Sequence, residues 1–145
     1  MRPGKPTGAA SSWASGLFRE PLNGQKCLLP VSKDLEIWIC SPRTVVKNLI
    51  FARDIPKEKF PGTRIVNIPG ITVTVQQMLE ALRVVGGDEA VKLVEDEKDE
   101  VTERIVLSWP TRLDTSRAKM LGFAEDGPLD QTLREYIEDY GKKSA

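Results

Sequence analysis

The sequence predicts a mixed fold, α/β in character and α+β when the chain is taken in isolation, and three observations carry that expectation. Short β-branched and apolar runs alternate with longer segments of helical periodicity. Ser41-Pro42 places a capping residue before a proline at the first helical position, ahead of the stripe Val45, Val46, Leu49 and Ile50. Thr74 and Gln77 have capping-box spacing ahead of Val75, Met78, Leu79, Leu82 and Val85, and Gly86-Gly87 follows as a stop.

Taken in order, residues 9–18 form a short helix with Trp13, Leu17 and Phe18 on one side. Pro21, Asn23 and Gly24 break it. Residues 27–31 and 36–40 read as strands, the second with Ile37 and Ile39 on one face and Trp38 on the other. A helix with a buried stripe runs from Ser41 to about Arg53. The proline-bearing stretch 55–62 is a loop, and residues 64–68 are a strand closed by Pro69-Gly70. The capped helix follows and ends at the glycine pair, with a further strand at 92–94. The acidic run at 95–100 is a solvated helix start, and Val101, Ile105 and Trp109 continue that helix. A short helix follows Leu113-Asp114-Thr115 and ends at Gly122, and Leu129, Leu133, Ile137 and Tyr140 mark a last amphipathic helix.

Composition narrows the function. The 145 residues carry 21 basic and 21 acidic side chains, and zero net charge argues against a nucleic-acid partner. No apolar run approaches the roughly 20 residues of a membrane span, and the start has no apolar signal segment. Cys27 and Cys40 have no metal-ligand spacing, and two reduced thiols fit a cytoplasmic protein. Histidine is absent, which excludes a Ser-His-Asp or Cys-His system and any histidine-held metal within the chain. Gly4-Lys5-Pro6-Thr7 is not a Walker A loop, because no glycine stands five residues before its Gly-Lys pair.

Several stretches line up with a known family. They are RPGKPTGAASS with GLFREPLNG (2–24), IWICSPRTVVKNLIFA (37–52), RIVNIPGITVTVQQMLEAL (64–82) and WPTRLDTSRAKMLGF (109–123). Together they resemble the C-terminal half of an extended short-chain dehydrogenase/reductase of the NAD-dependent epimerase/dehydratase family. Within it they are most similar to the NAD-dependent branch that acts on D-erythronate. The likeness covers nearly the whole chain, residues 1–145. It implies the substrate region together with the last strand and helix of a Rossmann sheet, without the nucleotide-binding core.

The resemblance sets further expectations. Arg-Pro-Gly at 2–4 is where such enzymes leave the nucleotide domain, and Pro3 and Gly4 resemble the pair beside the nicotinamide carboxamide. Lys5, Thr7, Ser11 and Ser12 then face the substrate cleft, although Ser11 and Ser12 equally suit helix capping. Arg19 and Arg43 are candidates to clamp a substrate carboxylate, with a salt bridge as the alternative for each. The family's Tyr-x-x-x-Lys is missing, since Tyr136 is followed at +4 by Tyr140 and Tyr140 by Ser144, and no G-x-G-x-x-G occurs. The implied chemistry is oxidation of a small sugar acid with NAD in the parent family, by a chain that binds no NAD and is inactive alone. A nucleotide-sugar epimerase/dehydratase fragment and a non-catalytic interaction module are the alternatives. Glu36 weighs against a nucleotide diphosphate nearby. The segment 65–68 and the helix at 41–53 resemble elements that pack on the Rossmann sheet, so both leave apolar surface uncovered and invite self-association.

Overall fold

A computed structural model describes residues 7–60 and 62–141. The elements follow as α1 (Ser12–Leu22), β1 (Cys27–Leu29), β2 (Glu36–Ile39), α2 (Pro42–Asp54), a 3-10 turn at Lys57–Lys59, β3 (Ile71–Thr74), α3 (Val75–Lys92), β4 (Val94–Asp96), α4 (Glu100–Leu107), α5 (Ser116–Leu121) and α6 (Leu129–Tyr140). The mixed helix-and-strand class and the order of elements are those predicted. No helix among the described residues is long and apolar enough to cross a membrane.

Two small sheets organise the chain. β1 pairs with β4 in parallel, Cys27 opposite Val94 and Leu29 opposite Asp96. β2 pairs with β3 antiparallel, Glu36 opposite Thr74 and Ile39 opposite Ile71. Helix α3 lies against α1 and α6, and the main core gathers Leu17, Ile37, Met78, Leu82, Val106 and Leu133 between these elements. The predicted capping box is made: Gln77 N donates to Thr74 Oγ1 at 3.1 Å and Thr74 N donates to Gln77 Oε1 at 2.9 Å. A second, smaller cluster joins Ile55, Ala118 and Phe123, with Phe60 and Val66 packed against it.

Several expectations need correction. The third strand is 71–74, not 64–68. Residues 71–74 have β2 beside them to complete a ladder, whereas 64–68 have no strand partner among the described residues. The stripe of α2 is not buried: Val46, Leu49 and Ile50 are each more than half exposed, and the helix residue that is buried is Asn48. Helical spacing reports a shared face, but burial needs a neighbour, and nothing described covers that side. Helix α3 is interrupted at the glycine pair, as predicted: Gly87 has non-helical dihedrals (φ 74°, ψ 178°) that suit only glycine, and what the sequence did not give is the further helical stretch that follows it to Lys92. The acidic run is divided: Glu95 and Asp96 lie on β4, and Asp99 caps α4 by accepting from Val101 N at 3.0 Å. In α4 the buried residue is Val106, while Val101 and Ile105 are exposed. In α6 Leu133 is buried as expected, but Tyr136 goes inward while Ile137 and Tyr140 stay exposed.

Gly70 lies where the chain enters β3 against the end of β2. A Cβ built there would meet Ile39 O at 2.4 Å and Trp38 Nε1 at 2.9 Å. The first of these is backbone inside the β2–β3 ladder and has no room to retreat. Gly70→Ala is therefore expected to lower stability by about 1–3 kcal/mol, read as a lower urea midpoint at unchanged slope. Gly8→Ala, where a Cβ meets nothing within 4 Å, should leave the midpoint in place.

Candidate functional site

The residues singled out by sequence fall on α1 and on the N-terminal turn of α2. Pro3, Gly4 and Lys5 lie outside the described residues. At the start of α1, Thr7 N donates to Ser12 Oγ at 3.0 Å, and the two hydroxyl oxygens stand 3.0 Å apart. Ser11 occupies the cap position, is exposed, and makes no side-chain cap hydrogen bond. Thr7 and Ser12 thus form a pair of hydroxyls that donate and accept, with Ser11 next to Ser12 in the chain.

Arg19 sits two turns further along α1 and is buried. Its Nε and Nη2 donate to Glu20 Oε1 at 3.2 and 2.5 Å. Glu20 is buried as well, and its Oε2 has no partner, nor does Trp13 Nε1 on the same helix. Gly16 makes room for this carboxylate, since a Cβ there would stand 3.2 Å from Glu20 Oε2. Asn23 closes the end of α1, its Nδ2 donating to Arg19 O at 2.7 Å and to Tyr136 Oη at 3.2 Å.

The start of α2 is already supplied with an anion. Ser41 N donates to Asp126 Oδ2 at 2.7 Å, and Ser41 Oγ accepts from Thr44 N at 3.2 Å. Burial resists ionisation of Asp126, but hydrogen bonds from Thr44, Ser41 and Cys40 outweigh it and hold the carboxyl below its ordinary range. Arg43 reaches α6 instead of standing free: its Nε and Nη2 donate to Asp139 at 3.0 and 2.6 Å, and Nη2 donates to Glu138 at 3.2 Å. Asp139 is correspondingly held low, first by its bond from Arg43. Asn48 ties the middle of α2 to the loop before α6, donating to Ala124 O at 2.9 Å and accepting from Ala124 N at 2.8 Å.

A cavity of about 90 Å³ lies between α1, the end of β2 and α6, with Ser15, Cys40, Ser41, Asp126 and Thr132 as its polar lining. Neither the Thr7–Ser12 pair nor Arg43 lines it. The structure therefore brings the α1 hydroxyls together and places the two arginines apart, each against a carboxylate of the chain. Asp126 and Glu20 were missed by sequence reasoning. Glu20 follows Arg19 directly, which is a legible pair, but nothing local links Asp126 to Ser41 eighty-five positions away.

Among the described residues no group of histidine, cysteine and carboxylate side chains is arranged to hold a metal. Asp126, Thr74 with Gln77, and Asp99 cap the starts of α2, α3 and α4. The described hydroxyls offer hydrogen-bond donors and acceptors at the surface. Tyr136 Oη faces Asn23, and no lysine stands one helical turn on.

No family model matches the chain. It is 42% identical over 138 residues to D-erythronate dehydrogenase of Haemophilus influenzae, covering 95% of this chain and 44% of that protein. It is 42% identical over 141 residues to D-erythronate dehydrogenase of Cupriavidus necator, covering 97% and 44%. Its fold superposes on the crystal structure of the nucleoside-diphosphate-sugar epimerase from Agrobacterium tumefaciens with a TM-score of 0.91 at 39% identity, covering 96% of this chain and 41% of that one. L-threonine 3-dehydrogenase from Trypanosoma brucei shares the fold at a TM-score of 0.80 and 21% identity. The chain spans less than half the length of the curated relatives it matches.

Two outcomes follow from the site chemistry. Burial first, then the Glu20 charge, pushes the Cys27 thiol up to about 11. Burial and the Asp126 carboxylate push Cys40 up to about 12. A thiol that stays protonated is a poor nucleophile, so neither should react with Ellman's reagent at pH 8 until denaturant is added; rapid native labelling would contradict the geometry. The Asp126 contribution to stability is complete above an ordinary carboxyl value of about 3.9 and is lost as pH falls through that value toward the lower folded one. Asp126→Asn should lower stability at pH 7 and flatten this acid limb in a pH series of thermal melts.

Proposed function

We propose that this chain, which matches the C-terminal portion of extended short-chain dehydrogenase/reductases in sequence and fold, is the substrate-binding region of an NAD-dependent dehydrogenase acting on a small sugar acid of the D-erythronate type. The observation that carries the reading is 42% identity to two D-erythronate dehydrogenases, sustained over 95% and 97% of the chain. So nearly complete a match takes in both α1 and α2.

The α1 cluster suits such a substrate. Thr7, Ser11 and Ser12 offer hydroxyls to the hydroxyls of a short polyhydroxy acid. For the acid's carboxylate the candidates are Lys5, Arg19 and Arg43. Arg19 is paired with Glu20 and Arg43 with Asp139, so a substrate carboxylate reaching either one has to displace that partner. Bound NAD would accept the hydride from the carbinol carbon. This chain's part is to hold the acid, keep its hydroxyls oriented and limit water around them. The seat for NAD and the acid–base pair belong, by family resemblance, to the portion of the relatives that lies outside the match. Alone, the chain turns over nothing.

A nucleoside-diphosphate-sugar epimerase is the second reading, favoured by the close superposition on the Agrobacterium tumefaciens protein of that name. Against it, Glu36 at the start of β2 is paired with Arg112 at 3.1 Å; a diphosphate arriving there would meet a carboxylate and displace that pair.

The test grafts this chain in place of the matched region of the Cupriavidus necator relative. D-Erythronate with NAD should then yield NADH, and Ser12→Ala should raise KM about tenfold by removing roughly one hydrogen bond. The chain by itself should yield none. A chimera that melts as one cooperative unit yet makes no NADH, or that epimerises a nucleotide sugar instead, would end the dehydrogenase reading.

A further inference from the structure

The cavity of about 90 Å³ between α1, the end of β2 and α6 lies one helical turn beyond the α1 hydroxyls. Ser15 lines it, and Ser15 follows Ser12 by three positions and Ser11 by four. Side chains at those spacings are neighbours on one helix face, about 5–6 Å apart at Cβ. A chain of about four carbons spans that interval. A ligand held at the start of α1 can therefore put its far end into the cavity.

The walls of the cavity are mixed. Phe18, Ile39 and Met78 are apolar, whereas α1, α6 and the loop before α6 bring in the hydroxyls of Ser15 and Thr132 and the carboxylate of Asp126. Asp126 accepts from Ser41 N at 2.7 Å to cap α2. The hydroxyls of Ser15 and Thr132 take no part in that cap. Burial opposes the charge of Asp126, but its hydrogen bonds outweigh burial and keep it ionised. An ionised carboxyl has about four lone-pair sites, so it can accept a further hydroxyl, and it repels a second anion at close range. The lining thus fits a neutral group that donates and accepts on one side and lays carbon against Phe18 and Met78 on the other. The volume has room for about three water-sized groups. A CH2OH end with one neighbouring hydroxyl is of that size.

We infer that this cavity is the subsite for the hydroxymethyl end of a four-carbon sugar acid, held by the Ser15 and Thr132 hydroxyls with Asp126 as acceptor, and that it leaves the acid's own carboxylate outside. That the ligand is a sugar acid rests on the functional reading above; the neutral, hydroxyl-bearing character of the group in the cavity does not. The cavity selects in two ways. A carboxylate at the far end of the ligand meets Asp126, and a longer chain has more atoms than the space holds.

The test reads binding without turnover. Titration of this chain with D-erythronate should give saturable NMR shifts at the backbone amides of Ser15, Asp126 and Thr132. Glycerate, one carbon shorter, should shift the start of α1 and leave these three in place. Tartrate, with a carboxylate where D-erythronate has CH2OH, should not shift them either. Thr132→Val and Ser15→Ala should each weaken D-erythronate about fivefold, leave glycerate unchanged and not lower the melting midpoint. Absence of saturable shifts at the three amides, equal shifts with tartrate, or variants that weaken both acids alike or neither would overturn the subsite. If the Cupriavidus necator chimera oxidises D-erythronate while these amides stay silent, the subsite fails and the dehydrogenase reading stands. If the amides shift and saturate while an intact chimera makes no NADH, the subsite stands and that reading fails.

Discussion

Helix α2 is held to this molecule by hydrogen bonds rather than by burial of its apolar stripe. Ser41 reaches Asp126, Asn48 makes a paired bond with Ala124, and Arg43 forks onto Asp139. Phe51, edge-on to Phe123, is its main apolar anchor. These attachments all lie on the side that faces the 123–126 loop and α6. They fix which way the helix is turned, and that orientation leaves Val46, Leu49 and Ile50 in the open. Because Asn48 is fully buried with both amide groups satisfied, turning the stripe inward would leave a polar pair unmade in the interior, at a cost of about 1–3 kcal/mol.

The same accounting of polar groups separates the candidate binding residues. The hydroxyls of Thr7, Ser11 and Ser12 remain at the surface, where exchange of one partner for another is inexpensive. Arg19 and Glu20 form a buried pair, and such pairs are strongly disfavoured once one member is lost. Arg43 makes a solvent-accessible tie between α2 and α6, where a competing carboxylate has to displace Asp139. The hydroxyls thus stay at the surface while the two guanidinium groups serve the chain's own carboxylates.

The resemblance to extended short-chain dehydrogenases gives these observations a common setting. Nearly all of this chain matches, yet it matches less than half of each relative. The uncovered side of α2 and the unpaired 64–68 segment lie together. The α1 hydroxyls and the main core are built from other elements, α1, α3 and α6 among them. The region therefore keeps a well-packed interior while the outer side of α2 and residues 64–68 stay uncovered, because neither α2 nor 64–68 contributes to the main core.

What the sequence determined by itself was local and periodic. Ser41-Pro42, the Thr74–Gln77 box and the Gly122 stop each act within one helical turn, so α2, α3 and α5 begin or end where the residues say. The order of elements and the mixed class follow from those signals, and the quoted motifs carried the family likeness. Tertiary structure alone decided the rest. Periodicity in VVKNLI marks a face but not its neighbour, so only the position of Ala124 reveals that Asn48, and not Leu49, is the buried residue. The run RIVNI has three β-branched residues in five and ITVT four in four, so both suit a strand, and 71–74 became one because β2 lies within hydrogen-bonding reach of it. Asp126 came to cap a helix begun eighty-five residues earlier, and no spacing in the sequence encodes that distance, because only the folded chain brings the two together.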